Sequence, residues 1–187
     1  MDLKLNIIVG STRPGRVGVA IAPWLEAFAV AHGKFSLDLV DLAEVGPPLL
    51  DEPNHPVLQG YEQEHTKRWS ESVASADAFV FLTPEYDYFP SAALMNAVQC
   101  LFLEWNYKPA GVVSYGGVSA GSRASQMLRL LLTSANVFPL TQVVPIPDFT
   151  QFIDADGVFR ANAQTEQGAA VMLGELFKVA TALKTIR

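Results

Sequence analysis

The chain has 187 residues, of which 17% are charged, and its net charge is −6 from 13 basic and 19 acidic side chains. This length predicts one domain over residues 1–187, and the acidic balance without any basic run argues against nucleic-acid binding, which needs a basic face. The single cysteine, Cys100, excludes an internal disulfide framework and a zinc site built from cysteines. No apolar run approaches the ~20 residues that span a membrane, and no signal-peptide pattern is present, so the chain is predicted to be cytoplasmic.

Short apolar runs alternate along the chain with longer segments of helical periodicity. The runs predicted as strands are Leu5–Val9, Phe35–Leu42, Asp77–Thr83, Gly111–Tyr115 and Leu140–Ile146. The segments predicted as helices are Val17–Ala31, Tyr61–Ser75, Ser91–Glu104, Ser122–Ala135 and a last helix within Ala161–Ile186. Residues 44–60 contain four prolines and are predicted to form a long loop with a functional or interface role.

This alternation predicts an α/β fold with five parallel strands and helices on both faces of the sheet. In a doubly wound sheet of order 2-1-3-4-5, ligands bind beyond the carboxyl ends of the strands, where the strand order reverses. The loops after the first, third and fourth strands should therefore meet at one edge. These loops cover residues 10–18, 84–90 and 114–121, and they have the most unusual composition in the chain.

The first loop, GSTRPGRVG, joins a strand to the start of a helix, where free N–H groups and the helix dipole favour an anion. Ser11 and Thr12 offer hydroxyl donors, and Arg13 and Arg16 offer planar guanidinium groups suited to phosphate. A tight turn with a hydroxyl cap and two solvated arginines accounts for the same residues equally well. The loop lacks the Lys-Ser/Thr pair of a P-loop and the glycine triplet of a dinucleotide-binding motif.

The second and third loops add acids, aromatics and glycines at the same edge. Glu85, Tyr86 and Asp87 follow the third strand directly, although a proline-bounded turn with exposed acids is the simpler interpretation of this segment alone. Gly116 and Gly117 follow the fourth strand, and glycines there let the backbone approach a flat ligand.

Ser119 lies in the sequence GVSAG, which satisfies the G-x-S-x-G pattern of a hydrolase nucleophile. That motif places the histidine of the triad after the serine, whereas all three histidines of this chain precede Ser119. The hydrolase interpretation is therefore weak. The histidines also lack metal-ligand spacing among themselves, so no metal site is predicted.

Three spaced motifs make the chain resemble the NADPH-dependent FMN reductase family of flavodoxin-like proteins. They are GSTRPGRVG (10–18), TPEYDYFPSAALMNA (83–97) and EWNYKPAGVVSYGG (104–117), followed by SRA at 122–124. The resemblance implies that the FMN phosphate is held by Ser11, Thr12, Arg13, Arg16, Val17 and Gly18. It implies that the ribityl chain and ring are lined by Pro84, Glu85, Tyr86 and Asp87. It implies that the pyrimidine end is hydrogen-bonded by Ser114, Tyr115, Gly116 and Gly117.

Two positions depart from the family pattern. Asp87 stands where the family usually has Asn, so an effect of this carboxylate on the flavin potential is expected, and Met95 replaces a lysine on a helix.

The resemblance implies an oxidoreductase that uses FMN with NADPH or NADH as co-substrate. Hydride would pass to FMN and then, in a ping-pong cycle, to a small acceptor such as a quinone, free flavin, azo dye or metal ion. No catalytic acid, base or nucleophile is expected, because the cofactor supplies the chemistry. The alternatives are a flavodoxin-like electron carrier without an NAD(P)H site and, less favoured, a serine hydrolase built on Ser119.

A homodimer or homotetramer is also expected. The motivation is the apolar composition, in which 50% of the residues are hydrophobic, the long proline-rich loop, and the family's habit of building flavin sites beside subunit interfaces. Residues 44–60 and the helix near Leu94–Trp105 are predicted to lie in or near the contact.

Overall fold

The five predicted strands form one parallel sheet in the computed structural model, which describes residues 3–187. The strands are β1 (Leu3–Val9), β2 (Phe35–Asp41), β3 (Ala78–Pro84), β4 (Pro109–Tyr115) and β5 (Phe138–Ile146). Their order is β2-β1-β3-β4-β5, and every neighbouring pair is parallel. The predicted strand order is confirmed. Met1 and Asp2, which the prediction of one domain included, lie outside the described residues.

Helices connect the strands and cover both faces of the sheet. They are α1 (Gly18–His32), α2 (Leu42–Val45), α3 (Glu64–Ser75), α4 (Ala92–Gln99), α5 (Ser122–Ser134) and α6 (Ala163–Leu183). Short 3-10 turns occur at Pro56–Leu58, Leu103–Trp105 and Phe149–Phe152.

The core has two layers, one on each side of the sheet. Helices α1 and α6 bury their apolar residues against one face, whereas α3, α4 and α5 pack against the other. Successive strand residues point to opposite faces, so Ile7 and Val9 belong to the first layer and Ile8 to the second. This double coverage explains why β1, β3 and β4 are nearly continuous apolar runs.

The predicted helix over Ser91–Glu104 is wrong at its C-terminal end, because α4 stops at Gln99. Side chains that follow α4 satisfy the backbone groups a longer helix would have paired. Trp105 Nε1 donates to the Val98 carbonyl at 3.1 Å, and the Glu104 carboxylate accepts from the Phe102 amide at 3.2 Å. Cys100 is consequently buried at the end of α4 rather than in the middle of a helix.

The proline-rich loop, predicted at residues 44–60, covers residues 46–63, because α2 extends to Val45 and α3 begins only at Glu64. Two buried polar side chains hold it in place. Asn96 of α4 accepts from the Leu50 amide at 3.0 Å and donates to the Pro48 carbonyl at 2.7 Å. Glu104 accepts from the Tyr61 hydroxyl at 3.1 Å, and burial together with this carboxylate raises the pKa of Tyr61. The loop is therefore ordered, although it has only one 3-10 turn of its own.

Strand β5 is one edge of the sheet, since it pairs only with β4. It contains Pro139 and Pro145, whose nitrogen cannot donate to a ladder, and proline is tolerated in a sheet mainly at such an edge. One face of β5 is covered by α6, whose Asn162 side chain caps its first turn by accepting from the Thr165 amide at 2.8 Å.

Candidate functional site

A cavity of about 200 Å³ lies at the carboxyl ends of β1, β3 and β4, where the three unusual loops come together. Its lining residues are Arg13, Val17, Pro84, Glu85, Tyr86, Tyr115, Gly116, Gly117 and Phe149. All of these except Phe149 are among the residues predicted from the sequence. The structure thus brings parts of all three loops to one place, at the strand-order reversal where ligands of such sheets bind.

The first loop leads into α1 without any side-chain cap on the helix. The residue before the helix, Val17, makes no side-chain hydrogen bond, whereas Ser91 caps α4 and Asn162 caps α6. The amides of an uncapped first turn have no intrahelical acceptor. Those amides, together with the positive end of the helix dipole, are suited to an anion.

Two buried hydroxyl groups lie beside this helix start. Ser11 Oγ and Tyr115 OH are both buried, and within residues 3–187 neither makes a well-formed hydrogen bond, although the two hydroxyls are close enough for Ser11 to act to lower the pKa of Tyr115. A Cβ on Gly18 would be 2.6 Å from Ser11 Oγ and 3.0 Å from Tyr115 OH, so glycine is required for both hydroxyls to stay where they are. Burial raises the pKa of Tyr115 to about 12, which keeps this hydroxyl a proton donor. Unpartnered buried donors indicate a ligand or water.

The two arginines of the first loop are in different environments. Arg16 forms a two-pronged ion pair with Asp41, at 2.5 Å for each nitrogen–oxygen contact, and also donates to the Ser11 carbonyl at 2.8 Å. Arg13 is exposed, with its guanidinium 5.9 Å from the centre of the Tyr86 ring, and within residues 3–187 it has no carboxylate partner. Arg13 is thus the freer cation at the cavity, and Arg16 ties the first loop to the end of β2.

The Arg16–Asp41 pair is partly buried, with each side chain 17% exposed. Burial by itself raises the pKa of Asp41, but the hydrogen bonds from Arg16 and from the Ala43 amide outweigh it, and the net pKa is lowered. Asp41 also caps α2 by accepting from the Ala43 amide at 3.0 Å. This carboxylate therefore connects the first loop to the segment that enters the proline-rich loop.

The second loop makes a tight two-residue turn at its tip. The Tyr86 amide and the Phe89 carbonyl are 2.9 Å apart, as are the Phe89 amide and the Tyr86 carbonyl. Asp87 and Tyr88 between them have φ values of 48° and 77°, the left-handed conformations of a type I′ turn, which favours Asn, Asp or Gly. Asp87 is exposed and does not line the cavity. Asn and Asp at position 87 both tolerate the left-handed conformation that this turn requires.

The Glu85 side chain turns away from the cavity toward the start of α5. Its carboxylate accepts from the Arg123 side chain at 2.7 Å, from the Ser119 hydroxyl at 3.0 Å and from the Arg123 amide at 3.1 Å. Burial acts to raise the pKa of Glu85, but these hydrogen bonds outweigh it and the net pKa is lowered, so the carboxylate is ionised at neutral pH. Glu85 thus links the second loop to the third.

The third loop is fixed by its own backbone and by Ser114. The Ser114 hydroxyl donates to the Ala120 carbonyl at 2.9 Å, so this side chain supports the loop from inside the sheet. The Gly117 carbonyl accepts from the Asp148 amide at 3.1 Å, which ties the loop to the segment after β5. At Gly116 a Cβ would be 2.9 Å from the Gly121 nitrogen, so only glycine allows this close approach.

Ser119 does not have the surroundings of a hydrolase nucleophile. Its hydroxyl donates to Glu85, and none of the three histidines hydrogen-bonds to it among the described residues. A nucleophile elbow places the serine itself on a strained turn, whereas here the left-handed residues are Ala120 and Gly121. The structure accordingly gives no support to the hydrolase alternative.

Several residues at the site were missed by sequence reasoning. Phe149 packs edge-on against Tyr115, with ring centres 5.3 Å apart, and completes one wall of the cavity. Its position just after β5, at the same edge as the other loops, is a signal that could have identified it. Arg123 belongs to the SRA motif at 122–124, but that motif does not indicate its partner Glu85, and Asp41 carried no signal, because each meets its partner only through the tertiary fold.

Within residues 3–187, the acidic, histidine and cysteine side chains nowhere form a cluster that could hold a metal ion. None of the helices described here is both long enough and apolar enough to cross a membrane.

Comparison with known proteins gives a consistent family assignment. The model of the family described as NADPH-dependent FMN reductase matches residues 3–151. An NAD(P)H-dependent FMN reductase of Schizosaccharomyces pombe is 41% identical over 126 residues, which is 66% of this chain and 63%, just under two thirds, of that protein. An NAD(P)H-dependent FMN reductase of Pseudomonas aeruginosa is 32% identical over 165 residues, covering 83% of this chain and 84% of that one.

Among solved structures, a flavoenzyme NAD(P)H:(acceptor) oxidoreductase from Paracoccus denitrificans superimposes with a TM-score of 0.70 at 20% identity. The superposition covers 98% of each chain and supports the flavodoxin-like fold. Since the family model matches most of the sequence and includes all three loops, the chain belongs to the NADPH-dependent FMN reductase family of oxidoreductases.

Proposed function

We propose that this protein is an FMN-dependent NAD(P)H oxidoreductase that works in a ping-pong cycle and reduces a small acceptor such as a quinone, free flavin, azo dye or metal ion. The observation that carries the proposal is the cavity shared by three loops, with an uncapped helix start and unpartnered buried hydroxyls at one end. Bound FMN would supply the hydride chemistry, and the chain would bind and orient it.

The first loop would hold the phosphate of FMN. Ser11 provides a buried hydroxyl without a partner, Arg13 provides an exposed guanidinium, and Gly18 keeps the helix start open. The other predicted residues, Thr12, Arg16 and Val17, belong to the same loop, and Arg16 would act mainly by holding the loop through Asp41. A free guanidinium, a buried hydroxyl and several amide donors at one helix start would together favour a phosphate.

The second and third loops would enclose the ribityl chain and the ring. Pro84, Glu85 and Tyr86 contribute lining atoms from the second loop, and Tyr115, Gly116 and Gly117 from the end of β4 and the third loop. Asp87 and Ser114, also predicted to contact the cofactor, would support the site from the turn and from within the sheet. No side chain at the cavity is proposed as a catalytic acid, base or nucleophile.

The deciding experiment is an absorption spectrum of the purified protein, followed by anaerobic addition of NADPH and, separately, NADH. A flavin spectrum that bleaches with either nucleotide supports the reductase. Flavin bands that persist with both nucleotides favour the electron carrier. A colourless protein that does not take up added FMN contradicts the proposal.

Assembly into a homodimer or homotetramer is part of the proposal. Apolar side chains are exposed on the proline-rich loop, with Leu49 at 78% and Leu58 at 69%, and on α5, with Leu130 at 67%. The loop and α5 are neighbours, because Leu50 and Leu131 line the same surface cavity. Exposed apolar groups that lie close together are typical of subunit contacts. Sedimentation of a ~20 kDa species at micromolar concentration would contradict it, and Leu58→Glu and Leu130→Glu should shift an assembled protein toward that species.

Organisation as one cytoplasmic domain over residues 1–187 is proposed as well. The two core layers share the same sheet, which supports cooperative unfolding of the whole. Two separate calorimetric transitions would argue against one domain, and fluorescence microscopy of a tagged chain would test the location.

A further inference from the structure

The second and third loops are joined beyond the end of the sheet by one group of side chains. The sheet pairing of β3 with β4 ends at Pro84 and Tyr115. Past that point, every side-chain hydrogen bond between the two loops and the start of α5 involves Glu85, as far as residues 3–187 show. The Glu85 carboxylate is well placed for this, because its side chain is only 6% exposed.

Arg123 extends this connection to the tip of the second loop. Its guanidinium pairs with Glu85 and lies over the Tyr88 ring at 4.1 Å from the ring centre. Tyr88 has φ 77°, an unfavourable conformation for a bulky residue unless its surroundings hold it there. A cation stacked on an aromatic face is attractive, so Arg123 stabilises the turn that Tyr88 belongs to.

This connection joins two loops that both line the candidate site. Glu85 and its neighbour Tyr86 line it from the second loop, and Gly116 and Gly117 line it from the third. Ser119, which also donates to Glu85, follows these glycines closely. Beyond the β3–β4 pairing, which ends at Pro84 and Tyr115, the spacing between these two loops therefore depends on Glu85 and Arg123.

We propose that Glu85, Arg123 and Tyr88 form a clamp of positioning residues that sets the width of the site and thereby its selectivity for a flat ring system. The proposal rests on the proposed function for the identity of the ring, a flavin. The phosphate end is formed by the first loop, none of whose side chains hydrogen-bonds to the clamp within residues 3–187; its approach to the second loop is through Arg13, 5.9 Å from the centre of the Tyr86 ring. Weakening the clamp should therefore reduce affinity for the ring and leave the contribution of the phosphate unchanged.

The test compares FMN with riboflavin, which has the same ring and ribityl chain but no phosphate. Dissociation constants for both are measured by flavin fluorescence quenching in wild type, Glu85→Ala and Arg123→Lys. Glu85→Ala should raise the dissociation constants of both FMN and riboflavin by about tenfold or more, the change that ~1.4 kcal/mol produces. The ratio of the two constants should stay the same. Arg123→Lys keeps the charge but not the planar stacking group, so its dissociation constants should lie between those of the wild type and those of Glu85→Ala.

Two control variants make the result specific. Arg13→Ala should weaken FMN alone and so change the ratio. Asp154→Asn alters a carboxylate of similar type, which accepts from the Asp156 and Val158 amides and pairs with Arg160 outside the candidate cavity. This variant should leave both affinities at their wild-type values.

Hydrogen–deuterium exchange of the apo-protein tests the clamp without any flavin. Glu85→Gln, which preserves the size of the side chain, should speed exchange of amides in residues 116–124 and 86–89 but not elsewhere. Unchanged exchange there, or an unchanged riboflavin constant in a folded Glu85→Ala protein, overturns the clamp. If the wild type binds no flavin, the proposed function fails, and the exchange result alone decides whether the clamp exists.

Discussion

Replacing each arginine of the first loop by alanine should separate cofactor binding from stability. Arg13 is exposed and faces the cavity, so Arg13→Ala should alter FMN affinity and little else. A charge-assisted hydrogen bond contributes about 1.5–3 kcal/mol, which corresponds to a dissociation constant about ten- to a hundredfold higher. The free energy of unfolding of the apo-protein should change by no more than ~0.5 kcal/mol, as for most surface substitutions.

Arg16→Ala should behave differently, because Arg16 is held by Asp41. Its removal leaves a carboxylate that is 17% exposed without its partner, and leaves the Ser11 carbonyl without a donor. Breaking a fully buried pair costs about 3–5 kcal/mol, so about 2–3 kcal/mol is expected for this partly exposed one. For a chain of this size that lowers Tm by about 4–12 °C.

The pH dependence gives a second check on the same pair. The folded-state pKa of Asp41 is lowered, so the ion pair stabilises the fold above the ordinary carboxyl pKa of 3.8. That stabilisation is lost as the pH falls through the lower, folded-state value. The difference in Tm between wild type and Arg16→Ala should therefore narrow as the pH falls below about 4.

The assays are thermal unfolding of the apo-proteins and titration with FMN. Asp41→Asn is the matched control, since it weakens the pair while leaving Arg16 in place and free to contact phosphate. It should lower Tm without raising the dissociation constant of FMN. An Arg16→Ala protein with wild-type Tm and an affinity loss equal to that of Arg13→Ala would refute the division of roles.

Three further predictions concern other positions. Gly18→Ala should weaken FMN binding, because the new Cβ would come within 2.6 Å of the Ser11 hydroxyl and displace it. The control Gly174→Ala, at an open position in a helix, should stabilise the fold by up to about 1 kcal/mol and leave binding unchanged. Titration with FMN and thermal unfolding measure both. Burial lowers the pKa of Lys108 from its ordinary 10.5 to about 8. Between about pH 8 and 10 the unfolded chain therefore binds a proton that the folded chain does not, and the free energy of unfolding should rise with pH. Denaturation of Lys108→Met, measured over the same pH range, should lack that rise. Asp87→Asn should leave the flavin potential, measured by dye equilibration, within about 10 mV of wild type. Asp87 is exposed, so solvent should screen its interaction with the flavin to below ~0.5 kcal/mol. A rise of several tens of millivolts would show that Asp87 faces the ring.

The fold was predictable because hydrophobic pattern decides most of it. The runs that became β1, β3 and β4 are apolar without interruption, and few arrangements of alternating strands and helices cover both faces of a sheet. The error at the end of α4 has a specific cause. Glu104 and Trp105 fit a helical pattern, yet their polar atoms bond to backbone groups that only the folded chain brings near.

The candidate site was predictable as a set of loops but less so as a set of contacts. Topology alone brings residues 10–18, 84–90 and 114–121 to one edge. What each polar side chain does there depends on distant partners. Glu85 bonds to Arg123, and Arg16 to Asp41, across 38 and 25 positions of sequence, and neither pairing leaves a local pattern.

The prolines of β5 affect how the protein behaves in concentrated solution. A sheet edge with free amides is a template on which another molecule can add a strand and begin to aggregate. Pro139 and Pro145 remove two donors from the outermost strand, so a foreign strand finds an interrupted ladder there. A strand added to the folded sheet should therefore pair with β2, at the opposite edge, which contains no proline.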